Sequence, residues 1–407
     1  MRATKGFLCV LAILSLAALA PKEASAIPVF ARKYGFNCTM CHSAYPQLND
    51  FGSRYRDNGY RLPGREGEEK TVLQSPAPLA MRTSGGYTYT RFWNVPEAVD
   101  TRQFQLNGLD LLSAGLLGAG ISYLAVYTPE IAEMRGTEGQ TGTLEMASVV
   151  FSDVVPDWLN IRAGRFEPAY VTTSVKRRLT ISPYEIYEYM GGAGLAFSET
   201  QSGLELSGRH GAIRYAAGFV NGSETNRAND IPSDFYGRAA MVFGPGEGQT
   251  AGQRIGLFGY SGKARPLVFR PESEDERLSF QRYGVDAALN LLHFHFSGQF
   301  LLGKEEAGLW EDAGSREDAD DDADFSGGFA EVDYFPMVDL AGFARYDWVA
   351  YPDRANVDLD RITGGLRFYF VDQMALHIEY SQRRLYLGGI GDDQKEELGT
   401  LRLDLAF

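Results

Sequence analysis

The chain has 407 residues, 44% hydrophobic and 13% aromatic, with 46 glycines, three cysteines and a formal net charge of −14. That charge excludes a nucleic-acid binder, which needs a cationic face to displace counterions, and three cysteines exclude a dense disulfide scaffold. A mean hydropathy of −0.23 excludes a polytopic helical membrane protein but not a β-barrel, whose strands are apolar on one face only.

Arg2 and Lys5 give a cationic start, 7–20 is apolar, and Ala24-Ser25-Ala26 offers a small-residue cleavage site, so 1–26 reads as a secretory signal peptide. The apolar run is too short to span a bilayer as an anchor, since a spanning helix needs about 20 residues. Cys9 leaves with it, and it lies inside the apolar run rather than at its end, where a lipoprotein cysteine belongs. Losing Arg2, Lys5, Lys22 and Glu23 removes a net +2 from −14, so the mature chain stands at −16 with two cysteines.

Those two cysteines form Cys38-Thr39-Met40-Cys41-His42, the C-x-x-C-H order of c-type haem attachment. Thiols three residues apart on one turn can each add across a haem vinyl group, and the adjacent His42 then faces the iron as proximal ligand. Three other readings of the pair stay open. A thioredoxin-like dithiol wants a βαβ context that is missing, and a zinc site wants two more ligands, the next histidine being His210. A structural disulfide suits an exported protein.

Phe30, Tyr34 and Phe36 precede the motif, and Leu48, Phe51 and Tyr55 follow at helical spacing on one face, a possible porphyrin cover. Arg54, Arg56 and Arg61 are candidates for haem propionates, or else solvated surface charges. The segment 27–64 is too small to shield a haem alone, and 65–78, rich in Gly, Glu and Pro, is a linker. The sixth iron ligand is not evident. Met40 is badly placed between the cysteines, Met81 beyond the linker is the nearest methionine, and His210, His293, His295 and His377 lie further on.

From residue 79 to 407 the chain counts as a barrel. Period-two segments fall near 79–92, 102–112, 118–128, 143–152, 159–167, 203–209, 212–220, 234–243, 253–261, 279–289, 292–302, 325–334, 338–349, 358–370, 374–386 and 397–407. These predict about sixteen antiparallel strands, and parity tests the count. Connections after even strands are mostly tight, as at 208–212, 290–291, 335–337 and 371–373, whereas those after odd strands are long, as at 168–202, 221–233, 262–278 and 303–324. Short periplasmic turns alternating with long external loops put both termini in the periplasm; the link at 244–254 and the short loop at 351–357 break the pattern. Leu366, Phe368 and Phe370 alternate with Arg367 and Tyr369, which predicts a lipid face and a wet lumen large enough for a channel or a plug, with the haem segment as the candidate plug.

Three further features bear on function. Ten acidic residues between Glu305 and Asp324, with Arg316 alone opposing them, form an acidic loop suited to drawing cations or, more plainly, to solubility. Lys176, Arg177 and Arg178 lie in the longest loop, of a kind that folds inward in some porins, as a basic constriction or as solvated charge. His293 and His295 are spaced to share a strand face, without a third metal ligand.

The run IPVFARKYGFNCTMCHSAYPQLNDFGSRYRDNGYRLPG at 27–64 resembles the N-terminal cytochrome of the fused monohaem cytochrome-porins, the outer-membrane iron-oxidase-like family. The match rests on Pro28, Phe30, Ala31-Arg32, Cys38, Cys41, His42, Pro46, Leu48, Phe51-Gly52 and Gly59-Tyr60. In the barrel, IRAGRFEPAY at 161–170, GFVNGSE at 218–224 and ARYDW at 344–348 are similar to phosphate-selective-type porins, and the terminal Phe407 is similar to outer-membrane proteins generally. The resemblance implies one covalent haem c and electron exchange between an extracellular donor, ferrous iron first, and periplasmic c-type cytochromes. It leaves open outward electron flow to metals or electrodes. A passive porin with a structural N-terminal plug is the rival from another class.

Overall fold

Strands that alternate apolar and polar residues must put one face on a bilayer and one on an interior, and closing the sheet is the way to leave no edge unpaired in lipid. The computed structural model of the chain shows that closure. It describes residues 29–407 except 65–66, 68, 75–77, 94–99, 130–141, 157, 171–173, 223–233, 245–251, 265–276, 307–322, 352–356 and 388–391. The wall is built from β1 (Leu79–Trp93), β2 (Asp100–Gly118), β3 (Ile121–Thr128), β4 (Thr143–Val155), β5 (Leu159–Phe166), β6 (Gln201–His210), β7 (Ile213–Val220) and β8 (Asp234–Phe243). It continues through β9 (Gln253–Ala264), β10 (Leu278–Leu291), β11 (Phe294–Glu305), β12 (Ala323–Met337), β13 (Leu340–Tyr351), β14 (Val357–Val371), β15 (Met374–Leu387) and β16 (Gln394–Ala406).

Every strand pairs antiparallel with its sequence neighbour, and β16 returns to β1 to close a sixteen-stranded barrel. The closing seam runs from Lys395 opposite Trp93 to Ala406 opposite Arg82. Past it, Met81 and Phe407 exchange backbone hydrogen bonds of 2.6 and 2.9 Å. Each of the sixteen expected segments is a strand, most of them a few residues longer than the alternation suggested. Tight turns follow six of the seven even-numbered strands that lead on to another, and 244–252 is the exception that the sequence already flagged.

The outward face is apolar. Ile255, Leu257, Leu366 and Ile378 are each about half exposed or more, and on the same strands Phe258, Tyr260, Arg367 and His377 point inward and are buried. Among the described residues no helix is long and apolar enough to cross a membrane, so crossing falls to the strands. The wet lumen expected from alternation is not what the inward face meets. Arg282, Asp286, Asp333, Arg345, Asp347 and Glu379 are nearly inaccessible to water, because chain from both ends fills the barrel.

At the short-turn end the filler is the segment before β1. Helix α1 (Val29–Tyr34), a one-turn helix at Cys38–Met40, a two-strand ribbon pairing His42–Ala44 with Gln47–Leu48, and helix α2 (Asp50–Asp57) follow one another. At the long-loop side it is the connection 167–200, which folds back inside and carries helix α3 (Glu185–Glu188). Tyr170, Tyr184, Ile186, Tyr187, Leu195 and Phe197 of this loop form one core with the inward Tyr236, Tyr260, Phe280, Phe325 and Phe329.

Close backbone approach at the seam sets one glycine. A Cβ on Gly86 would lie 2.1 Å from the carbonyl oxygen of Leu401 and 2.6 Å from Arg402 Cα, whereas one on Gly259 meets nothing within 4 Å. Gly86→Val is therefore expected to abolish the SDS-resistant, heat-shifted band of the closed barrel on a denaturing gel, with Gly259→Val keeping it.

Candidate haem-attachment site and lumen filling

The motif sits in a turn pinned from one residue. Asn49 accepts from the Gly52 amide at 2.9 Å through its side-chain oxygen, which caps α2, and donates through Nδ2 to the carbonyls of Thr39 and Met40 at 3.3 and 3.1 Å. Its own amide donates to the Cys41 carbonyl at 3.0 Å. Helix α2 packs this closely because residue 52 has no side chain: a Cβ there would stand 2.1 Å from the Cys41 oxygen. An Asn ahead of Asp50 is a helix-start signal visible in the sequence, but its second task of holding the cysteine turn is set by the fold.

Cys38 and Cys41 are free thiols in the structure, half-buried. Burial, with the Asp372 carboxylate as the next cause, pushes the Cys38 thiol up to about 12, and burial pushes Cys41 to about 11. His42 Nδ1 lies 3.2 Å from both the Pro46 and the Gln47 carbonyl oxygens. Carbonyls only accept, so Nδ1 carries the proton and Nε2 keeps its lone pair. Burial pushes the imidazole down to about 4, against the raising effect of those two carbonyls, so it is neutral at pH 7. Two free thiols on one turn beside a neutral imidazole with its Nδ1–H tied to backbone are a donor set that fits a haem c.

The surroundings depart from expectation in several places. Leu48 belongs to the ribbon, ahead of the helix, so only Phe51 and Tyr55 share α2. Tyr55 is buried with Tyr60 and Leu62 among Phe30, Tyr34, Phe36 and Phe51, and Phe30 stacks on Tyr60 with centroids 4.6 Å apart. Arg54, Arg56 and Arg61 are engaged by Asp50, Asp57 and Asp153 respectively. Met81 is not brought to the motif. It lies opposite the outward-facing Leu111, while its neighbour Arg82 is the one turned inward, onto Asp110.

The later histidines are spent elsewhere. His210 stacks on Trp158 at 3.8 Å, His377 is bonded to Glu379 at 3.2 Å, and His295 to Asn290 at 2.5 Å. His293 lies in the turn before β11 rather than on a strand face with His295. Among the described residues no group of three or more metal-binding side chains occurs.

The plug is seated around the rim. The Cys38 amide donates to Asp372 at 3.3 Å, Tyr369 donates to the Tyr45 carbonyl at 2.6 Å, and Gln47 donates to the buried Asp333 at 2.8 Å. On the opposite arc Ser152 and Asn160 donate to the carbonyls of Asn58 and Asp57, and Arg214 pairs with Asp57 at 2.7 Å. Ala44 of the plug and Leu179 of the inward loop share one small core with Phe335, Phe343 and Tyr369, so the two fillers meet inside the barrel.

The inward loop is held by charge on the wall. Glu379 accepts from the amides of Ile181 and Ser182 and from the Ser182 hydroxyl, each at 2.6 Å, and Arg345 donates to the carbonyls of Ser182 and Pro183 at 2.9 and 2.6 Å. Lys176, Arg177 and Arg178 do not line a free constriction: they bind Glu145, Glu167, and the carbonyls of Thr180 and Ile181. Most of the acidic loop, 307–322, lies outside the described residues, but Glu305 is no part of a solvated loop. It ends β11, is buried against Arg282, and accepts from the Gly192 amide at 2.7 Å.

A scan of family models and a search of curated proteins return no match to this chain. Among solved structures, the anion-selective porin from Comamonas acidovorans matches with a TM-score of 0.58 at 13% identity, covering 81% of this chain and 99% of its own. The outer membrane channel DcaP of Acinetobacter baumannii matches with a TM-score of 0.58 at 10% identity, over 81% and 96% of the two chains. Pseudomonas putida OprB gives 0.58 at 10%, over 81% and 94%. This chain therefore has the porin barrel fold.

Two variants test the placement of the fillers. Asn49→Ala removes a helix cap, a loss of about 0.5–2 kcal/mol, together with the anchor of the cysteine turn. The expected readout is faster maleimide labelling of Cys38 and Cys41 in protein made without haem attachment. Glu379→Gln keeps the shape but removes the charge that three loop donors address, and hydrogen bonds to charged groups contribute about 1.5–3 kcal/mol each. It is expected to lower the unfolding temperature and raise single-channel conductance in planar bilayers above the parent's.

Proposed function

We propose that this protein is an outer-membrane electron conduit in which the barrel sheathes one haem c, attached through Cys38 and Cys41 and ligated by His42. The observation that carries this reading is the C-x-x-C-H turn, with free thiols and His42 Nε2 available, docked in the mouth of a barrel filled by its own loop. The haem would supply a one-electron couple within a wall that otherwise insulates about 30 Å of hydrocarbon. The chain's part is to hold the thiols on one turn, to fix the His42 tautomer through Pro46 and Gln47, and to keep water out with the Tyr55 cluster. Met81 is not carried forward as distal ligand, since it shares the outer face with Leu111.

With tight turns at one end, and the plug and Phe407 beside them, the short-turn mouth is the periplasmic one. Periplasmic c-type cytochromes are then the partners at the plug, and ferrous iron is the donor at the long loops. The same arrangement serves electrons moving outward, to metals or electrodes, because direction follows the haem potential. The rival reading is a passive porin with a structural plug, and the likeness of the wall to named porins and channels favours it.

The two readings separate in one set of measurements. A conduit is expected to show a haem-stained band that survives boiling in SDS and is lost in Cys38→Ala, and low conductance in planar bilayers. Ferrous iron is expected to reduce the haem of detergent-solubilised protein. Absence of the covalent band, with conductance unchanged in Cys38→Ala, would establish the porin instead.

A further inference from the structure

A cavity of about 650 Å³ remains between the plug, the inward loop and the wall from β3 to β8. Its lining leans apolar on β3 to β5 and cationic on β6 to β8, although Arg162 and Glu205 cross that division. Leu124 of β3, Met146 and Val150 of β4 and Phe166 of β5 give an apolar side, and Arg209, Arg214 and Arg238 of β6, β7 and β8 give a cationic side. Arg56 of the plug and Arg177 of the loop complete the cationic side from within.

The arginines outnumber the carboxylates that serve them. Asp50 is shared by Arg54 and Arg209 at 3.0 and 3.8 Å, Asp57 by Arg56 and Arg214 at 3.2 and 2.7 Å, and Asp286 by Arg238 and Arg254 at 2.6 and 3.6 Å. Arg162 has Glu205 at 3.0 Å and Arg177 has Glu167 at 3.2 Å. Asp153 on the lining is taken by Arg61. Among the described residues of the lining itself, seven arginines face four carboxylates, Asp57, Asp153, Glu167 and Glu205. Burial and then the neighbouring Arg56 charge hold Arg177 below its ordinary value, as crowded cations require.

We propose that this compartment binds an organic carboxylate with an apolar body, the carboxylate on Arg56, Arg177 and Arg214 and the body against Leu124, Met146, Val150 and Phe166. An inorganic oxyanion answers the charge excess but leaves the apolar side unfilled, and a neutral apolar molecule does the reverse. The volume lies within the range of about 300–1,000 Å³ usual for small-molecule sites. The plug supplies Arg56, so the site is complete only with the N-terminal segment seated.

The probe is 2-naphthoate, titrated calorimetrically into the full-length protein in detergent, with 2-naphthamide and inorganic phosphate as comparisons. The expected result is saturable one-site binding of naphthoate, at least tenfold tighter than either comparison. It should weaken at least tenfold in Arg214→Gln and in Met146→Trp, which fills the apolar side, with both variants first shown to keep the heat-shifted barrel band. Equal binding of naphthamide, equal binding of phosphate, no saturable heat, or wild-type affinity in both variants would each overturn it.

Discussion

A sixteen-stranded wall can be filled from within only if the polar backbone of whatever enters finds partners there. Glu379, Glu305 and Arg345 provide them for the inward loop. Each is nearly inaccessible to water, and each meets backbone groups of 179–193 that would otherwise be buried without hydrogen bonds. The wall charges need the loop as much as the loop needs them, because a carboxylate such as Glu379 could not stay ionised facing an apolar filler. Removing one side of that exchange leaves the other buried and unmatched, which is why the cost of a single substitution exceeds the value of the bond it deletes. The same exchange lets the tyrosines and phenylalanines of loop and wall pack as one core.

Once the loop occupies the middle of the barrel, the space left at the short-turn end has a defined floor, and the plug is shaped to it. Ala44 shares a core with Leu179 of the loop, so the seat of the C-x-x-C-H turn is partly made by a segment more than a hundred residues away. Several of the plug's rim contacts are half-exposed ion pairs, which contribute little individually. The buried Gln47 to Asp333 bond and the aromatic group around Tyr55 carry more, since neither can be replaced by water without loss. Plug and loop therefore stabilise each other through the wall as well as directly.

Much of this was legible in the residues. Period-two alternation gave each of the sixteen strands, and turn parity located the tight turns and flagged 244–252, because both signals are local and the bilayer enforces them on every hairpin. The cysteine and histidine spacing was equally local. The N-terminal plug was anticipated, and inward folding of the longest loop was considered for its basic residues alone; what escaped was that the loop builds an apolar core inside the barrel. The stretch LTISPYEIYEYMGGAGLAF at 179–197 is too apolar for a solvated loop, and that was the available signal. Glu305 counted as loop acid by position along the chain, whereas the strand register places it opposite Phe280, inside. Met81 illustrates the same limit: proximity to the linker favoured it, and the facing of a single residue on β1, one step from Arg82, removed it.

The likeness to porins bears on the fold. The solved barrels are matched over nearly their whole length and over 81% of this chain. At 13% identity or less, what is shared is the fold of a closed barrel, and closure is what lipid imposes on any such protein. Conduction is decided by what stands in the lumen, and function in general resides in the site rather than the fold. Here that content is a folded-in loop, bonded to charges on the wall, and a plug bearing two thiols and an imidazole. Because the inward face of the strands is spent on holding that chain, the shape of the space that remains is set by the loop and the plug as much as by the wall.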